Sequence, residues 1–287
     1  MKMFDIHSHL STRKGFMLQD EEDIQALEKY YKAKMTFKTE DEMYQDFKRA
    51  DVKVILAPAM KRTGMSIEES RESHDYIAAV KKEHPDVYYS AWALCDPRHG
   101  QKGVVELERC IKDLGFLGPS FFGGFTRVPY NDKSCYPFYE LALEAKRPVM
   151  LYVGMTGAGA GMAGAGGVLL DYFHPIPYVD QVAGDFPELT IIASHPAWPW
   201  DNEMIAVMLH KNNVYNDLHG WSPKYFSPEL KKEVNGSRLR GRFVTGCDYP
   251  SFAHDKIIKA WEEEGYKEGV MVEVLIKNLQ KLLGVEF

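Results

Sequence analysis

The chain has 287 residues, of which 45% are hydrophobic and 26% charged, and its formal net charge is -6. These proportions are typical of a folded globular protein and exclude disordered, collagen-like and low-complexity chains. Basic residues are neither in excess nor clustered, so the charge gives no reason to expect nucleic acid binding.

The cysteines and the N-terminus bear on where the protein resides. The four cysteines form no Cys-x-x-Cys pair, which argues against a zinc knuckle and a disulfide framework. The sequence has neither a leader-like apolar start nor an uncharged run of membrane-spanning length. We therefore expect a cytoplasmic protein without membrane contact. The length suits one domain over residues 1–287 with a single large core.

Short apolar runs rich in β-branched and aromatic residues alternate along the chain with longer amphipathic segments. This alternation is typical of βαβ units and a parallel sheet. The predicted strands are Met3 to His9, Val52 to Pro58, Tyr88 to Cys95, Phe116 to Phe122, Pro148 to Val153, Thr190 to His195, Val214 to Asp217 and Phe243 to Asp248. Eight such strands with intervening helices predict an α/β fold, the (β/α)8 or TIM barrel.

Helices are predicted between the strands, with apolar positions at helical spacing among charged ones. The clearest are Ser66 to Glu83, Tyr136 to Lys146, Val179 to Phe186 and Met204 to His210. Residues 10–50 are too long for a simple connection after the first strand. They predict an inserted helical lid, with Glu21 to Lys34 as its best helix.

Polar side chains end several of the predicted strands. His7 and His9 end the first, His195 the sixth and Asp248 the eighth. Residues two apart on a strand point to the same side, so both imidazoles of the first strand can face one point, as metal ligands do. Each residue alone has an ordinary structural explanation, such as a backbone hydrogen bond, a turn or a helix cap. Their joint position at the catalytic end of a barrel favours one shared site.

Other residues near this end are candidate substrate contacts. Seven glycines within residues 154–167 let the backbone approach a ligand or move, although a plain surface loop has the same composition. The candidate contacts are His174, Trp198, His219, Trp221 and Arg127. Helices or outer loops carry the remaining histidines, which we expect to have no role in the site: His74, His84, His99, His210 and His254.

The chain resembles the amidohydrolase superfamily, in particular the branch that includes aminocarboxymuconate-semialdehyde decarboxylase. The resemblance rests on Asp5-Ile6-His7-Ser8-His9, on Ser194-His195-Pro196 and on Gly246-Cys247-Asp248-Tyr249-Pro250. It implies that His7, His9 and Asp248 bind a metal, and that His195 binds metal or substrate. The glycine-rich segment and Ala197-Trp198-Pro199-Trp200 resemble a subgroup with β-ketoacyl-CoA hydrolases, which implies thioester hydrolysis as one activity.

Two positions depart from the family pattern. Tyr152 stands where family members carry a histidine at the end of strand five, and we expect it to contact substrate instead. Ser120 stands on strand four, where two-metal members carry a lysine. We therefore expect one divalent ion at most, with zinc first and manganese or iron as alternatives. A site without metal is the competing prediction.

The predicted function is metal-dependent hydrolysis of a small organic acid, ester, thioester or lactone. Asp248 and His195 are the predicted catalytic residues, and either would move the proton of a water molecule that the metal activates. The alternative is nonoxidative decarboxylation of an aromatic or unsaturated acid at the same site. A barrel retained only for binding is a third hypothesis. We expect a small-molecule substrate, and the sequence leaves a homodimer open.

Overall fold

The structure is a computed structural model that describes residues 2–286. Its centre is a sheet of eight parallel strands in which each strand pairs with the next along the chain. The strands are β1 Met3–Ser8, β2 Val52–Leu56, β3 Tyr88–Leu94, β4 Gly118–Phe121, β5 Val149–Tyr152, β6 Ile191–Ser194, β7 Val214–Asp217 and β8 Phe243–Val244. The predicted TIM barrel is confirmed.

Backbone hydrogen bonds between the first and last strand regions bring the barrel close to full closure. Ile6 N donates to Thr245 O at 3.3 Å, and Asp248 N donates to His7 O at 2.8 Å. This seam needs a glycine at position 246, because a Cβ there would lie 2.5 Å from Asp5 Oδ1. The chain beyond β8 therefore runs directly against the end of β1.

Helices surround the strands. They are α1 Glu21–Tyr31, α2 Glu40–Arg49, α3 Ile67–Glu83, α4 Gln101–Lys112, α5 Gly123–Thr126, α6 Tyr136–Glu144, α7 Asp180–Asp185, α8 Asp201–His210, α9 Pro228–Asn235, α10 His254–Glu263, α11 Glu268–Val272 and α12 Asn278–Leu283. In the described part of the chain, none of them combines the length and apolar character that a membrane span requires.

The barrel interior is apolar in its middle and polar at the C-terminal ends of the strands. Its lower part is filled by buried side chains that include Ile6, Trp92 and Ile192. The Trp92 indole donates to Ile6 O at 3.0 Å, which satisfies its one polar group. The polar side chains gather above this layer, where the strands end.

The strand predictions are right in number and order but extend too far at several C-terminal ends. The eighth strand stops at Val244 instead of Asp248. Asp248 adopts a left-handed backbone with φ 58°, and such a residue cannot continue a strand. The same holds for His195, whose φ is 80°. The strands thus end where the chain turns to present polar side chains.

The insert after β1 is smaller than predicted. Its first helix, α1, ends at Tyr31 because Lys32 turns left-handed with φ 52°. The second helix, α2, buries Met43 and Phe47 against the barrel, and Phe47 lies edge-on to Tyr88 of β3 at 5.9 Å between ring centroids. It therefore packs as an ordinary outer helix, which leaves α1 and its flanking loops as the insertion. A lid motion of α1 stays a prediction.

Candidate metal and substrate site

His7 and His9 lie side by side at the C-terminal end of β1. Both are buried, and their Nε2 atoms are 3.2 Å apart. His9 Nδ1 lies 3.1 Å from Pro58 O. A carbonyl only accepts hydrogen bonds, so His9 carries its proton on Nδ1 and offers a lone pair at Nε2. Burial lowers the pKa of His9 to about 4 and that of His7 well below its usual value. Both imidazoles are therefore neutral at pH 7, the form that binds metals.

Asp248 faces this pair across the seam between β8 and β1. Its Oδ1 lies 3.6 Å from His9 Nε2 and 4.0 Å from His7 Nε2. Burial raises the pKa of the Asp248 carboxyl to about 8. Among the described residues its ion-pair contacts are with these two histidines, and burial keeps both of them neutral. The carboxylate therefore lacks a positive partner.

The donor atoms of His7, His9 and Asp248 fit a divalent ion. Two neutral imidazole nitrogens and a carboxylate oxygen form a donor set that zinc, manganese and iron accept. The three donor atoms lie within 4.8 Å of one another. A dication would also supply the positive partner that the Asp248 carboxylate lacks. His195, predicted as a further ligand, does not belong to this group of donor atoms.

His219 lies between His7 and His195. Its ring stacks on that of His7, and the ring of His195 lies 4.3 Å away on a tilted plane. Asp217 at the end of β7 holds His219 through a 2.5 Å contact between Oδ2 and Nδ1. The Nε2 atom of His219 is buried and has no hydrogen-bond partner among the described residues. When Asp217 is ionised it accepts from Nδ1 and leaves the lone pair of His219 on Nε2, whereas burial raises the pKa of this carboxyl well above its usual value.

His195 presents its ring from the loop after β6. Its Nδ1 lies 3.3 Å from the carbonyl oxygen of His219, which places the proton on Nδ1 and a lone pair on Nε2. Burial lowers its pKa to about 4. The residue that follows His219, Gly220, must be small, because a Cβ there would lie 2.8 Å from His195 Nδ1. The loop after β7 therefore packs closely on this imidazole.

Tyr152 reaches the same centre from β5. Its hydroxyl oxygen lies 3.4 Å from His7 Nε2, and its ring centroid is 5.4 Å from that of His195. Burial raises the pKa of the phenol well above its usual value, so Tyr152 stays protonated and can donate a hydrogen bond. Ser120 on β4 is also buried, and its hydroxyl lies near the Tyr152 phenol, where a hydrogen bond opposes part of the effect of burial on the phenol pKa.

The other candidate substrate contacts divide into two groups. Trp198, which is 47% exposed, and Trp221 face each other with ring centroids 6.1 Å apart. They form a partly open aromatic pair on the loops after β6 and β7. His174 instead contacts Trp200 and lies 3.0 Å from Glu203 Oε2, and Arg127 donates to Gly167 O at 2.9 Å. Among the described contacts, neither His174 nor Arg127 touches a histidine of the site.

The glycine-rich segment is anchored at both ends. Near its start, Met155 N donates to Trp198 O at 2.8 Å. Near its end, Arg62 Nη1 donates to Gly166 O at 3.0 Å, while Nε of the same side chain donates to Asp23 of α1 at 2.9 Å. Between these ends, a Cβ on Gly157 would lie 3.4 Å from the Tyr31 hydroxyl at the end of α1. The segment therefore lies against the insert instead of projecting freely.

The contact between Asp5 and His254 was not expected from the sequence, where His254 was assigned only to a helix or outer loop. His254 is the first residue of α10, but its side chain is buried and its Nε2 lies 2.7 Å from Asp5 Oδ2. The signals available in the sequence were weak: Asp5 stands two residues before His7, and a histidine opens the helix after Asp248. Asp217, also missed, stands two residues before His219.

Comparisons with known proteins agree with this architecture. An amidohydrolase family model matches residues 4–244. A curated relative, 2-keto-4-carboxy-3-hexenedioate hydratase from Sphingobium sp., is 28% identical over 151 residues, which are 49% of this chain and 44% of that protein. The chain therefore matches less than half the length of this relative.

Solved structures share the fold over nearly the whole chain. An uncharacterised TIM-barrel protein from Bordetella bronchiseptica is similar with a TM-score of 0.74 and 19% identity, covering 99% of both chains. A dihydroxybenzoic acid decarboxylase from Polaromonas sp. JS666, solved with bound manganese and the inhibitor 2-nitroresorcinol, has a TM-score of 0.67 and 17% identity, covering 99% of this chain and 97% of that one.

Proposed function

This chain belongs to the amidohydrolase family of enzymes, and from that premise we propose that it is a metal-dependent decarboxylase of a small hydroxylated aromatic or unsaturated acid. The comparisons support this alternative better than the hydrolysis that the sequence favoured. A fold neighbour removes carbon dioxide from dihydroxybenzoic acid, and the curated relative acts on an unsaturated carboxylic acid. In all these cases the substrate class is a small carboxylate.

His7, His9 and Asp248 are the residues that would hold the metal. When bound, a divalent ion would supply positive charge that binds substrate oxygen atoms and stabilises negative charge on them. The manganese in the fold neighbour makes manganese as good a candidate as the predicted zinc. Tyr152 and Ser120 remain poor ligands, so a single ion is part of the proposal.

The remaining side chains of the site would accept, donate or transfer protons. His195 and His219 each carry a proton on Nδ1, so their Nε2 lone pairs can accept a hydrogen bond or a proton from a substrate hydroxyl. Tyr152 can donate its hydroxyl proton in a hydrogen bond to a substrate oxygen. In the reaction the bond between the ring or vinyl carbon and the carboxylate breaks, and its electron pair stays on that carbon. The carbon takes up in its place a proton that Asp248 relays from the substrate hydroxyl or from water, and carbon dioxide leaves.

The observation that carries this proposal is the largely buried carboxyl of Asp248, whose side chain is 15% exposed and lies within 4.0 Å of two neutral imidazoles. A carboxyl in that environment can take up a proton and pass it on near neutral pH, because burial disfavours its charged form. Decarboxylation needs such an acid at the carbon that loses carbon dioxide.

The test uses purified protein loaded with manganese and incubated with dihydroxybenzoic acids and unsaturated dicarboxylic acids. We expect carbon dioxide release that is lost on chelation and in Asp248→Asn. Hydrolysis of esters, lactones or thioesters, with oxygen from labelled water in the product and no carbon dioxide, would contradict the proposal and restore the hydrolase hypothesis.

Hydration of a carbon-carbon double bond is the second candidate. It is favoured by the curated hydratase, whose 28% identity exceeds that of the decarboxylase fold neighbour. The same assay separates the two reactions. Hydration removes the ultraviolet absorbance of a conjugated acid and adds one water to its mass, whereas carbon dioxide is not released.

A further inference from the structure

Asp5 is a fully buried carboxylate beneath the candidate metal site. Its Oδ1 accepts a hydrogen bond from His7 N at 2.8 Å. Its Oδ2 accepts from Ser8 Oγ at 2.6 Å and lies 2.7 Å from His254 Nε2. His254, at 3% exposure, approaches from α10 on the far side of the seam. The carboxylate thus joins residues of β1 to the first residue of a helix that follows β8.

The hydrogen bonds of Asp5 connect to residues of β1 and to residues after β8, which both contribute to the proposed metal site. His7, held by Asp5 through its backbone nitrogen, accepts a hydrogen bond on its own carbonyl oxygen from Asp248 N at 2.8 Å. Ser8 Oγ, held by the same carboxylate, accepts from Tyr249 N at 3.1 Å. One carboxylate therefore fixes the residues next to Asp248 and the backbone of His7 together.

The placement of Asp248 needs such support. Its backbone is left-handed, with φ 58°, a conformation that persists only where the surrounding contacts determine it. Burying the carboxylate of Asp5 is also unfavourable unless its oxygens are hydrogen-bonded. Two of its donors come from β1, and the third is the imidazole of His254. Asp5 and His254 therefore link β1 to the chain that follows β8.

We propose that Asp5 and His254 form a positioning pair that fixes the seam between β1 and β8 and so sets the spacing of His7 and His9 from Asp248. The inference rests on the proposed metal site. Neither residue needs to touch the ion or the substrate. Partners of this kind, one step behind the ligands, commonly change metal affinity by about 10-fold to 100-fold when they are removed.

The test compares three variants of the full chain. His254→Leu removes the donor but keeps an apolar side chain among the rings of Phe47 and Tyr249, which lie 4.9 and 6.1 Å away. His254→Gln keeps a donor near the position of Nε2. His74→Leu is the matched control, because His74 is an equally buried histidine that lies 2.9 Å from Glu106 between outer helices α3 and α4.

Two readouts are needed. The first is the dissociation constant for manganese, measured by calorimetry well below the unfolding temperature. We expect about 10-fold weaker binding or more in His254→Leu, near-normal binding in His254→Gln and no change in His74→Leu, although the control loses stability. The second is hydrogen exchange of the amides in residues 245–249, which should accelerate in His254→Leu alone.

Unchanged manganese affinity in His254→Leu, or an equal loss in His74→Leu, overturns the inference. Protein that binds no manganese at all refutes the proposed function instead. In that case hydrogen exchange decides the positioning role by itself, since equal exchange in the wild type and His254→Leu rejects it. If His254→Leu does not fold, His254→Asn replaces it, because its shorter amide cannot reach the position of Nε2.

Discussion

The imidazole of His219 stacks on that of His7 with ring centroids 3.8 Å apart and planes 12° from parallel. The stacking brings a residue of the loop after β7 against a proposed metal ligand from β1. Asp217 fixes which nitrogen of His219 carries the proton, so this contact also determines what His219 offers to a substrate.

Replacing Asp217 by Asn should impair turnover. The amide can offer an N–H to Nδ1, which would move the His219 proton to Nε2 and remove the free acceptor from the site. We expect kcat to fall about 10-fold to 100-fold with a smaller change in KM. Asp201→Asn is the control, since Asp201 is a buried carboxylate on α8 outside the site. Equal kcat values for the wild type and Asp217→Asn would remove His219 from the proposed chemistry.

Replacing Tyr152 by His should strengthen metal binding. The hydroxyl oxygen of Tyr152 lies 3.4 Å from His7 Nε2, so an imidazole at this position can add a third neutral nitrogen to the donor set. We expect manganese to bind about 10-fold more tightly in Tyr152→His. Tyr152→Phe should bind it as the wild type does. A loss of affinity in Tyr152→Phe would mean that the phenol oxygen is itself a ligand.

Replacing Arg62 by Ala should loosen the contact between α1 and the glycine-rich segment. Burial raises the pKa of Asp23, and Arg62 is the cation that pairs with this carboxylate and with the end of the glycine-rich segment. We expect the free energy of unfolding to fall by about 1–3 kcal/mol and limited proteolysis to cut within residues 154–167. Arg127→Ala, which loses one exposed contact with Gly167, should cost less. Equal stability of both variants would contradict the assigned role of Arg62.

Acid should weaken the contact between α3 and α4. Burial raises the pKa of Glu106, but hydrogen bonds from His74 and Arg109 outweigh it and hold the pKa at about 2, below its ordinary value of 4.5. A depressed carboxyl pKa stabilises the fold above the ordinary value, and this stabilisation disappears as the pH falls from 4.5 toward 2.

Denaturant unfolding of the wild type and Glu106→Gln tests this sign. The difference in unfolding free energy should be constant from pH 7 to about pH 5 and shrink below it. A difference that grows on acidification would show that Glu106 is not stabilised as a carboxylate.

The sequence was sufficient for the barrel because each strand carries its own local signal. It also singled out His7, His9, His195 and Asp248, since polar residues at predicted strand ends are visible in the chain, and their roles stay predictions. The stacking of His219 on His7 could not be predicted, because it depends on the loop after β7 returning across the barrel. The contact of His254 could not be predicted for a similar reason: the pattern of α10 correctly places this residue on a helix but cannot show that its side chain turns toward Asp5.

The insert illustrates the opposite error. Residues 10–50 were treated as one unit because no strand interrupts them, yet α2 packs on the barrel as its neighbours do. Only tertiary contacts separate an inserted helix from a regular one. The cytoplasmic location and the homodimer stay predictions.

The left-handed backbone of His195 and Asp248 sets the stability of the fold against the activity that we propose for these residues. Such conformations cost about 1–3 kcal/mol each outside glycine, although aspartate tolerates them better than most residues. A screen for heat resistance alone would therefore favour glycine at position 195 and discard the imidazole. Engineering a more robust form of this enzyme requires selection for turnover in the same experiment.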